Sequence, residues 1–179
     1  MTVLSSFLAN LETKTLQSNF NVTVYEEVSS PLNYPGEFIM QAEKFRLEML
    51  DIEAAYDGKT MYMYSSETDE LTLSNPTERE LLEANPFLFA KALIPVCTVT
   101  EKAQQDGQTL ITLTPKDQSA GIRHFTLLVR NEDMMPLKAE IKEGKKNTVL
   151  VLKEPKFVTT IHEFVLKPSK NTFVNDMRL

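Results

Sequence analysis

The sequence predicts a single domain built mainly of antiparallel β-strands, with a few short helices. Most of its 179 residues fall into short stretches in which apolar and polar residues alternate, the period of a half-buried strand. Turn-forming pairs such as Asp57-Gly58 separate these stretches, and no alternation of strands with long helices occurs. With 42% hydrophobic residues the chain can bury one sizeable core. We therefore expect an antiparallel meander or open barrel over residues 1–179, without an internal domain boundary.

The first element is a predicted amphipathic helix over residues 2–18. Leu4, Leu8, Leu11 and Leu16 fall near helical spacing, and the residues between them are mostly polar. Packing against the sheet is the expected use of this helix.

From Phe20 onward the pattern changes to the period of two that is typical of strands. The turn-forming residues 31–36 are expected to end the first strand. Further strands are predicted at residues 38–40, 45–49, 61–64 and 71–73. The strand 61–64, Met-Tyr-Met-Tyr, is apolar on both faces, so its inward face stays open at this level.

One helical segment interrupts the predicted sheet. Asn75 is suited to cap a helix, Pro76 to occupy its first position, and Glu78 to bond back to the cap. The pair Asn85-Pro86 restarts the segment as a second short helix over residues 87–93.

The remainder of the chain returns to strands joined by short turns. Turns are predicted near residues 106–107, at Gly121 and at Gly144, and Met135-Pro136 introduces the strand 137–142. The corresponding strands are residues 96–102, 110–114, 122–130, 137–142, 148–152 and 157–166.

The charge balance argues against nucleic acid as a partner. The formal net charge is −6, and Lys and Arg are interleaved with Asp and Glu, whereas phosphate binding needs a basic stripe. The densest basic cluster, Lys142, Lys145 and Lys146 around Gly144, is typical of a solvated turn.

The cellular compartment is left open by the residues alone. Cys97 is the only cysteine, so no intramolecular disulfide can form, and its apolar neighbours indicate a small buried hydrophobe. No stretch approaches the roughly 20 apolar residues of a membrane-spanning helix. Residues 1–16 lack the basic and apolar regions of a signal peptide. Either the protein is cytoplasmic, or it is a mature exported chain whose signal was removed.

No catalytic or metal-binding constellation is predicted. His124 and His162 are the two histidines, and neither is clustered with carboxylates at a ligand spacing. A Cys97–His124 dyad stays open, although nothing in the sequence places the two together. The acidic pairs Asp69-Glu70 and Glu132-Asp133 fall in predicted turns. We expect no cofactor and no enzyme activity.

The apolar inventory of the chain is unusually flexible and bulky. It contains eight methionines and ten phenylalanines, and no tryptophan. Met40, Met49, Met61 and Met63 fall in adjacent predicted strands. A Met-rich concave face suits a promiscuous apolar site, but an ordinary core beneath a helix would show the same composition.

An ordered set of motifs runs through most of the chain. The set comprises Gly36-Glu37-Phe38-Ile39-Met40, Lys44-Phe45-Arg46-Leu47-Glu48-Met49, Tyr56-Asp57-Gly58-Lys59-Thr60-Met61-Tyr62-Met63-Tyr64, Glu70-Leu71-Thr72-Leu73, Asn85-Pro86-Phe87 and the closing Val174-Asn175-Asp176-Met177-Arg178-Leu179. This set resembles the LolA-like family of periplasmic outer-membrane lipoprotein carrier proteins. The likeness spans most of the chain and keeps the family's order.

This resemblance implies an unclosed, strongly curved antiparallel sheet, a half-barrel with an α-helical lid on its concave face. It also implies a periplasmic, monomeric carrier that takes acylated lipoproteins from an inner-membrane transporter to an outer-membrane receptor, without covalent chemistry. The acyl-chain-binding face of the sheet would comprise Phe38, Met40, Phe45, Leu47, Met49, Met61, Met63, Phe125 and Leu127. The lid would comprise Leu81, Leu82, Phe87, Leu88 and Phe89.

One departure from the family pattern affects the lid. Many members carry an Arg-Pro pair, thought to hold the lid, where this chain has Gln41-Ala42-Glu43. That latch cannot be transferred to this chain. A LolA-like sensor or scaffold that transfers no lipoprotein is the alternative function, and a small lipid hydrolase is a third.

Overall fold

Twelve strands and three helices form the part of the chain that the computed structural model describes, residues 1–117, 121–159 and 162–179. The helices are α1 Val3–Thr13, α2 Glu78–Ala84 and α3 Pro86–Leu93, with short 3₁₀ turns at Ile94–Val96 and Gln105–Gly107. The strands are β1 Thr15–Tyr25, β2 Leu32–Gln41, β3 Lys44–Met49, β4 Ile52–Tyr56, β5 Met61–Ser65, β6 Glu70–Ser74, β7 Cys97–Ala103, β8 Gln108–Pro115, β9 Ile122–Arg130, β10 Met135–Glu143, β11 Lys146–Val158 and β12 Phe173–Asp176.

All twelve strands belong to one sheet, in the order β12-β6-β5-β4-β3-β2-β1-β11-β10-β9-β8-β7. The sheet stays unclosed, because β12 and β7 lie at its two edges. Every neighbouring pair is antiparallel except β12 and β6, which run parallel. The predicted class, a mainly β chain with short helices on an unclosed antiparallel sheet, is therefore confirmed.

The sheet curves strongly around the helices. Phe87 of α3 contacts Phe38 on β2 at a ring-centroid distance of 6.0 Å, and Phe89 contacts Phe125 on β9 at 6.2 Å. Four strand spacings, about 19 Å in a flat sheet, separate β2 from β9. Two rings only two residues apart reach both strands because the sheet wraps around α3.

The first helix is shorter than predicted. It ends at Thr13, and Leu16 belongs to β1, where its side chain is buried on the concave face. The spacing of Leu16 from the preceding leucines matched a helix by coincidence. At the other end, Thr2 caps the helix, and the Glu101 carboxylate accepts hydrogen bonds from Val3 N and Leu4 N at 3.2 and 2.9 Å.

The turn expected over residues 31–36 is wrong, because β2 begins at Leu32. Pro35 is tolerated there because β3 ends opposite Gly36, which leaves Pro35 with a strand partner, Asn21, on one side only. Gly36 lies opposite Phe20 of β1. A Cβ at Gly36 would come within 2.4 Å of the Phe20 ring and of the Glu48 carbonyl oxygen, so glycine makes room for that ring.

The helix start predicted at Asn75 is also wrong. The N-cap is Thr77, whose Oγ1 accepts from Glu80 N, while the Glu80 carboxylate accepts from Thr77 N at 2.7 Å. This reciprocal capping box satisfies two backbone donors of α2. Asn75 instead accepts from Leu179 N at 3.0 Å.

The end of the chain differs most from expectation. The strand predicted over residues 157–166 is wrong in its described part: β11 continues to Val158, and residues 162–166 form no strand. Its residues 160–161 lie outside the described residues. Two strands were not predicted at all, β4 and β12. Residues 162–172, which we call the strap, connect the sheet's middle to β12 at its edge.

The two faces of the sheet carry two separate apolar clusters. The main core cluster lies between the concave face and the helices. A smaller cluster on the convex face joins Ala55, Leu71 and Leu73 to Leu166 of the strap. The apolar pattern of β5 on both faces follows from this: Met61 belongs to the concave cluster, whereas Tyr62 and Tyr64 pack on the convex one.

The two ends of the half-barrel differ. Helix α1 closes one end, where Ala42 N donates to Leu11 O at 2.9 Å and Asn10 Nδ2 donates to Asp133 O at 3.4 Å. The opposite end, which we call the distal rim, is formed by the β1–β2, β3–β4, β5–β6 and β10–β11 turns. No described helix is long and apolar enough to cross a membrane.

Candidate functional site: the concave face and its helices

The helices α2 and α3, which we call the lid, meet at one buried asparagine. Asn85 N donates to Leu81 O at 3.1 Å and so ends α2. Its side-chain Oδ1 accepts from Phe87 N at 3.0 Å and Leu88 N at 3.4 Å and so starts α3. Asn85 Nδ2 lies 3.9 Å from the Met40 sulfur on the concave face. One residue therefore fixes both the bend of the lid and its position on the sheet.

A chain of four aromatic rings fixes the lid to the rest of the core. Phe87 contacts Phe7 of α1 edge-on at 5.7 Å between ring centroids and Phe38 of β2 at 6.0 Å. Phe38 in turn contacts Phe20 of β1 at 6.0 Å. Each such pair contributes about 0.5–1.5 kcal/mol beyond the burial of its area. Phe87, which is only 2% exposed, is the central plug.

Polar contact between the lid and α1 is limited to the surface. Lys91 near the end of α3 forms an ion pair with Glu12 of α1, and both side chains are about half exposed. The other lid ion pair, Arg79 with Glu83, lies within α2 at 2.8 Å and bridges nothing to the body.

The structure brings most of the sequence-predicted site residues together. Those buried in the main core cluster are Met40, Phe45, Met61, Phe87, Phe125 and Leu127. Those packed against it while partly exposed are Phe38, Leu47, Met49, Leu81 and Phe89. Met63 shares the face of Met61 but is 47% exposed. Leu82 and Leu88 are half-buried and lie outside the cluster.

Sequence reasoning missed much of the face. Its further buried members include Leu16, Phe20, Tyr56, Ile111, Leu113, Val129, Leu150 and Leu152, and α1 adds Leu4, Phe7 and Leu11. Most strand members were detectable from the alternation of their stretches; the exceptions are Leu16, whose spacing matched a helix, and Tyr56, which lies in the non-alternating β4. The contact between Phe7 and Phe87 was not detectable, because no local pattern indicates which part of a sheet a helix covers.

The apolar face continues beyond the lid toward the distal rim. Near α1 the face is sealed: Leu16 and Met40 are at most 1% exposed. On the same face nearer the rim, Met63 is 47% and Leu32 50% exposed. The face therefore has a closed end at α1 and a partly open end at the rim.

The described residues contain no group of three or more His, Cys, Asp or Glu side chains that could hold a metal ion. Cys97 is buried in the concave cluster, and burial raises the pKa of its thiol. His124 precedes Phe125, which also faces that cluster, so the imidazole projects from the other face. The two residues of the conceivable dyad are thus on opposite sides of the sheet.

A polar cleft of about 280 Å³ lies on the convex face, lined in part by Glu37, Arg46, Glu48, Lys156 and His162. Glu37 and Glu48 occupy directly opposite positions on β2 and β3. Desolvation, and then the charge of Glu37, raise the pKa of Glu48. The Nε2 atom of His162 is buried without a hydrogen-bond partner.

Comparison with known proteins gives fold likenesses only. No protein-family model and no curated protein matches the sequence. The structure is similar to an uncharacterized conserved protein from Thermus thermophilus, with a TM-score of 0.63 and 14% identity over 97% of this chain and 96% of that one. It is also similar to a chain of the Pseudomonas aeruginosa MucA/MucB complex, with a TM-score of 0.53 and 16% identity over 89% of this chain and 58% of that one.

A LolA superfamily protein from Nitrosomonas europaea is among the similar structures, with a TM-score of 0.43 and 11% identity over 90% of this chain and 96% of that one. The resemblance to LolA-like proteins that the motifs suggest stays a prediction at this TM-score. The likenesses with TM-scores of 0.63 and 0.53 extend to the fold and not to the activity.

Proposed function

We propose that this protein is a periplasmic carrier that binds the acyl chains of lipoproteins on its concave face and delivers them to the outer membrane. The observation that carries the proposal is the Phe- and Met-rich face covered by two short helices plugged in by Phe87. The motif resemblance supports the periplasmic location and the roles of an inner-membrane transporter and an outer-membrane receptor as partners.

For such a carrier to bind and release its cargo, the acyl chains must exchange places with the lid side chains on the concave face. Burying an acyl chain contributes about 0.8 kcal/mol per CH₂ group, on the order of 10 kcal/mol for one long chain. A permanently open face would expose a large apolar patch, and a permanently closed one would admit no cargo. If the acyl chains replace Phe87 and Phe89 on the sheet, the lost burial of these rings, about 1.5–3 kcal/mol for each fully buried ring, offsets part of that gain and favours release of the cargo.

The lid is built to move as a unit. Its helices have seven and eight residues, too few to be stable in isolation, so packing on the sheet holds them in place. Among the described residues, Phe87 and Ala90 are its fully buried apolar side chains. The other side chains of α2 and α3 are partly or fully exposed.

The test is formation of a soluble one-to-one complex with a triacylated lipoprotein after removal of detergent. A Glu12→Cys, Lys91→Cys, Cys97→Ala protein joined by a short bismaleimide would hold α3 to α1. We expect the cross-linked protein to bind no lipoprotein and the same protein before cross-linking to bind and release it to outer-membrane vesicles. Equal binding in both forms would contradict a moving lid.

A second candidate is a sensor or scaffold that binds a protein partner and transfers nothing. The observation favouring it is the likeness to a chain from a solved complex of two proteins, MucA and MucB. Lipid extraction and mass spectrometry of the purified protein distinguish the two functions. Acyl chains that copurify and leave on addition of outer-membrane vesicles support the carrier; a folded protein that never takes them supports the sensor.

A further inference from the structure

Two exposed large apolar side chains in turns between strands, Val28 and Leu50, are at one end of the described sheet, and Phe173 at the start of β12 lies at the same end. At the other end, the exposed apolar residues Met177 and Leu179 belong to the closing segment after β12. Val28 in the β1–β2 turn is 97% exposed and Leu50 in the β3–β4 turn 65%. Beside the β5–β6 turn, Phe173 is 66% exposed, and its backbone N donates to Asp69 O at 3.0 Å. In an antiparallel meander these three turns lie at the same end, and here that end is the distal rim.

The adjacency of the rim turns is supported by direct contacts. Ser66 N of the β5–β6 turn donates to Asp51 O of the β3–β4 turn at 2.9 Å. The β1–β2 turn is joined to the β10–β11 turn by the ion pair of Glu27 with Lys145, at 2.6 Å. By contrast, the turns beside α1 carry polar or half-buried residues throughout, such as Glu43, Asp57 and Lys59.

Leu50 is unfavourable at its position in two respects. Its φ of +56° lies in the left-handed region, which a bulky side chain adopts only at a cost and which Asn or Gly occupies easily. Its side chain also gains little from packing, because it is 65% exposed. Its exposed apolar side chain is therefore available for a contact outside the chain, although the positive φ is shared with other described residues such as Met134 and Glu154.

We propose that the distal rim docks on the surface of a phospholipid bilayer, with Val28, Leu50 and Phe173 inserted among the lipids. A protein partner or a second copy of this chain would need a contiguous patch of about 800 Å² on each side. The rim instead presents exposed apolar side chains on separate turns, each with a carboxylate next to it in the sequence, such as Glu27 beside Val28 and Asp51 beside Leu50. A fluid lipid surface can close around each of these side chains individually.

The position of the rim relative to the concave face fits this occupant. The partly exposed end of that face, with Met63 and Leu32, opens at the same rim. Docking there would place the mouth of the acyl-binding face against the membrane that gives or receives the chains. This part of the inference rests on the proposed function, whereas docking of the empty protein does not.

The charges of the rim do not select the lipid headgroup. The net charge of the chain is −6, but Lys145 and Lys146 at the β10–β11 turn lie on the same rim as Glu27 and Asp51. Docking should therefore be apolar in origin and present on zwitterionic vesicles of phosphatidylcholine and phosphatidylethanolamine.

The experiment uses the absence of tryptophan from the chain. Val28→Trp and Val151→Trp each provide a single fluorophore, the first on the rim and the second, at a site 40% exposed on the convex face, as control. With empty protein and zwitterionic vesicles, we expect a blue shift and quenching by brominated lipid for Val28→Trp alone. Equal responses at both sites, or none at either, would overturn the proposal.

Flotation with the same vesicles gives a second readout. Val28→Asn with Leu50→Asn should lower the partition coefficient at least tenfold, while Val151→Asn leaves it unchanged. Because Asn tolerates the left-handed region, thermal stability should be kept, so loss of binding would not reflect unfolding. Unchanged flotation of the rim variant would overturn docking. A variant that still floats with vesicles but fails to transfer cargo to a purified receptor would also overturn it, and would assign the rim to a protein partner.

The proposed function is tested separately. A protein that forms the soluble lipoprotein complex but ignores vesicles overturns the docking inference alone. A protein that docks on vesicles but takes no acyl cargo supports the docking inference and overturns only the carrier function.

Discussion

Replacing Phe87 by Ala should open the lid without unfolding the sheet. Phe87 is 2% exposed and contacts the rings of Phe7 and Phe38 at 5.7 and 6.0 Å. A buried Phe→Ala change costs about 3–5 kcal/mol. Because these contacts are made by the docked lid, the cost falls on lid closure, and 3 kcal/mol lowers the ratio of closed to open lid by more than about a hundredfold.

Native-state hydrogen exchange measures this directly. The amides of α3, such as Phe89 N, which donates to Asn85 O at 3.0 Å, should exchange faster by a similar factor, while amides of β1 and β11 keep their protection. Binding of a fluorescent fatty acid should strengthen, because less free energy is needed to displace the lid. Leu82→Ala, in the same lid but outside the core cluster, is the control and should change both readouts little.

Two outcomes would refute this reasoning. If α3 keeps its protection in Phe87→Ala, the lid is held by something other than the aromatic plug. If protection falls by the same factor in every strand, the lid is an inseparable part of the core and does not open on its own.

Three further predictions concern single groups. Because burial raises the thiol pKa of Cys97, its reaction with a thiol reagent at pH 8 should be far slower in the native than in the urea-unfolded protein, and equal rates would contradict its burial. Lys91→Ala removes the ion pair with Glu12 and should lower the free energy of opening α3, measured by hydrogen exchange, by no more than about 0.5 kcal/mol and by less in high salt. Arg79→Ala removes a pair internal to α2 and should not loosen the contact with α1. The pKa of Glu48 is raised, chiefly by desolvation, so the folded state binds this proton more tightly than the unfolded state and stability falls as pH rises through that pKa. Glu48→Gln should therefore raise the free energy of unfolding at pH 7 by under about 1 kcal/mol, seen as a slightly higher melting temperature. A lower melting temperature at pH 7 would contradict the sign.

Alternation and turn chemistry predicted the strands wherever one face is buried and the other exposed. β8, with Ile111 and Leu113 inward and threonines between them, was placed within two residues of its observed bounds. β4 was missed because Ile-Glu-Ala-Ala-Tyr does not alternate: both Ala54 and Ala55 are buried, one on each face. Local patterns fail where a strand is covered on both sides.

The errors at helix ends have a different origin. Asn75 and Thr77 are both good caps, and each has a glutamate three residues beyond it, so the sequence does not indicate which of them the chain uses. The structure uses Thr77, with Glu80 completing the capping box. Asn75 is engaged by Leu179, a partner 104 residues away, which no local pattern can anticipate.

The residues predicted for the face agree with the observed strand phase, but strand residues such as Phe20 and Ile111 and all contributions that depend on tertiary position were omitted. Met40 and Phe45 could be assigned to one face because β2 and β3 alternate regularly. The part of α1 in the site, and the ring of Phe7 against Phe87, follow from how the sheet curves around the helices. That curvature is a property of the whole sheet rather than of any segment.

The parallel pairing of β12 with β6 has a consequence for the order in which the molecule assembles. Phe173 pairs with Glu70, about a hundred residues earlier in the chain, whereas β1 to β6 are joined by short hairpins. We expect pairings between such distant segments, including that of β1 with β11, to form late, since closing a long loop costs entropy before any pairing is gained. Without the strap and β12, β6 would have one edge unpaired and Leu71 and Leu73 uncovered. A chain whose strap has not docked should therefore be more prone to edge-to-edge aggregation than the folded protein.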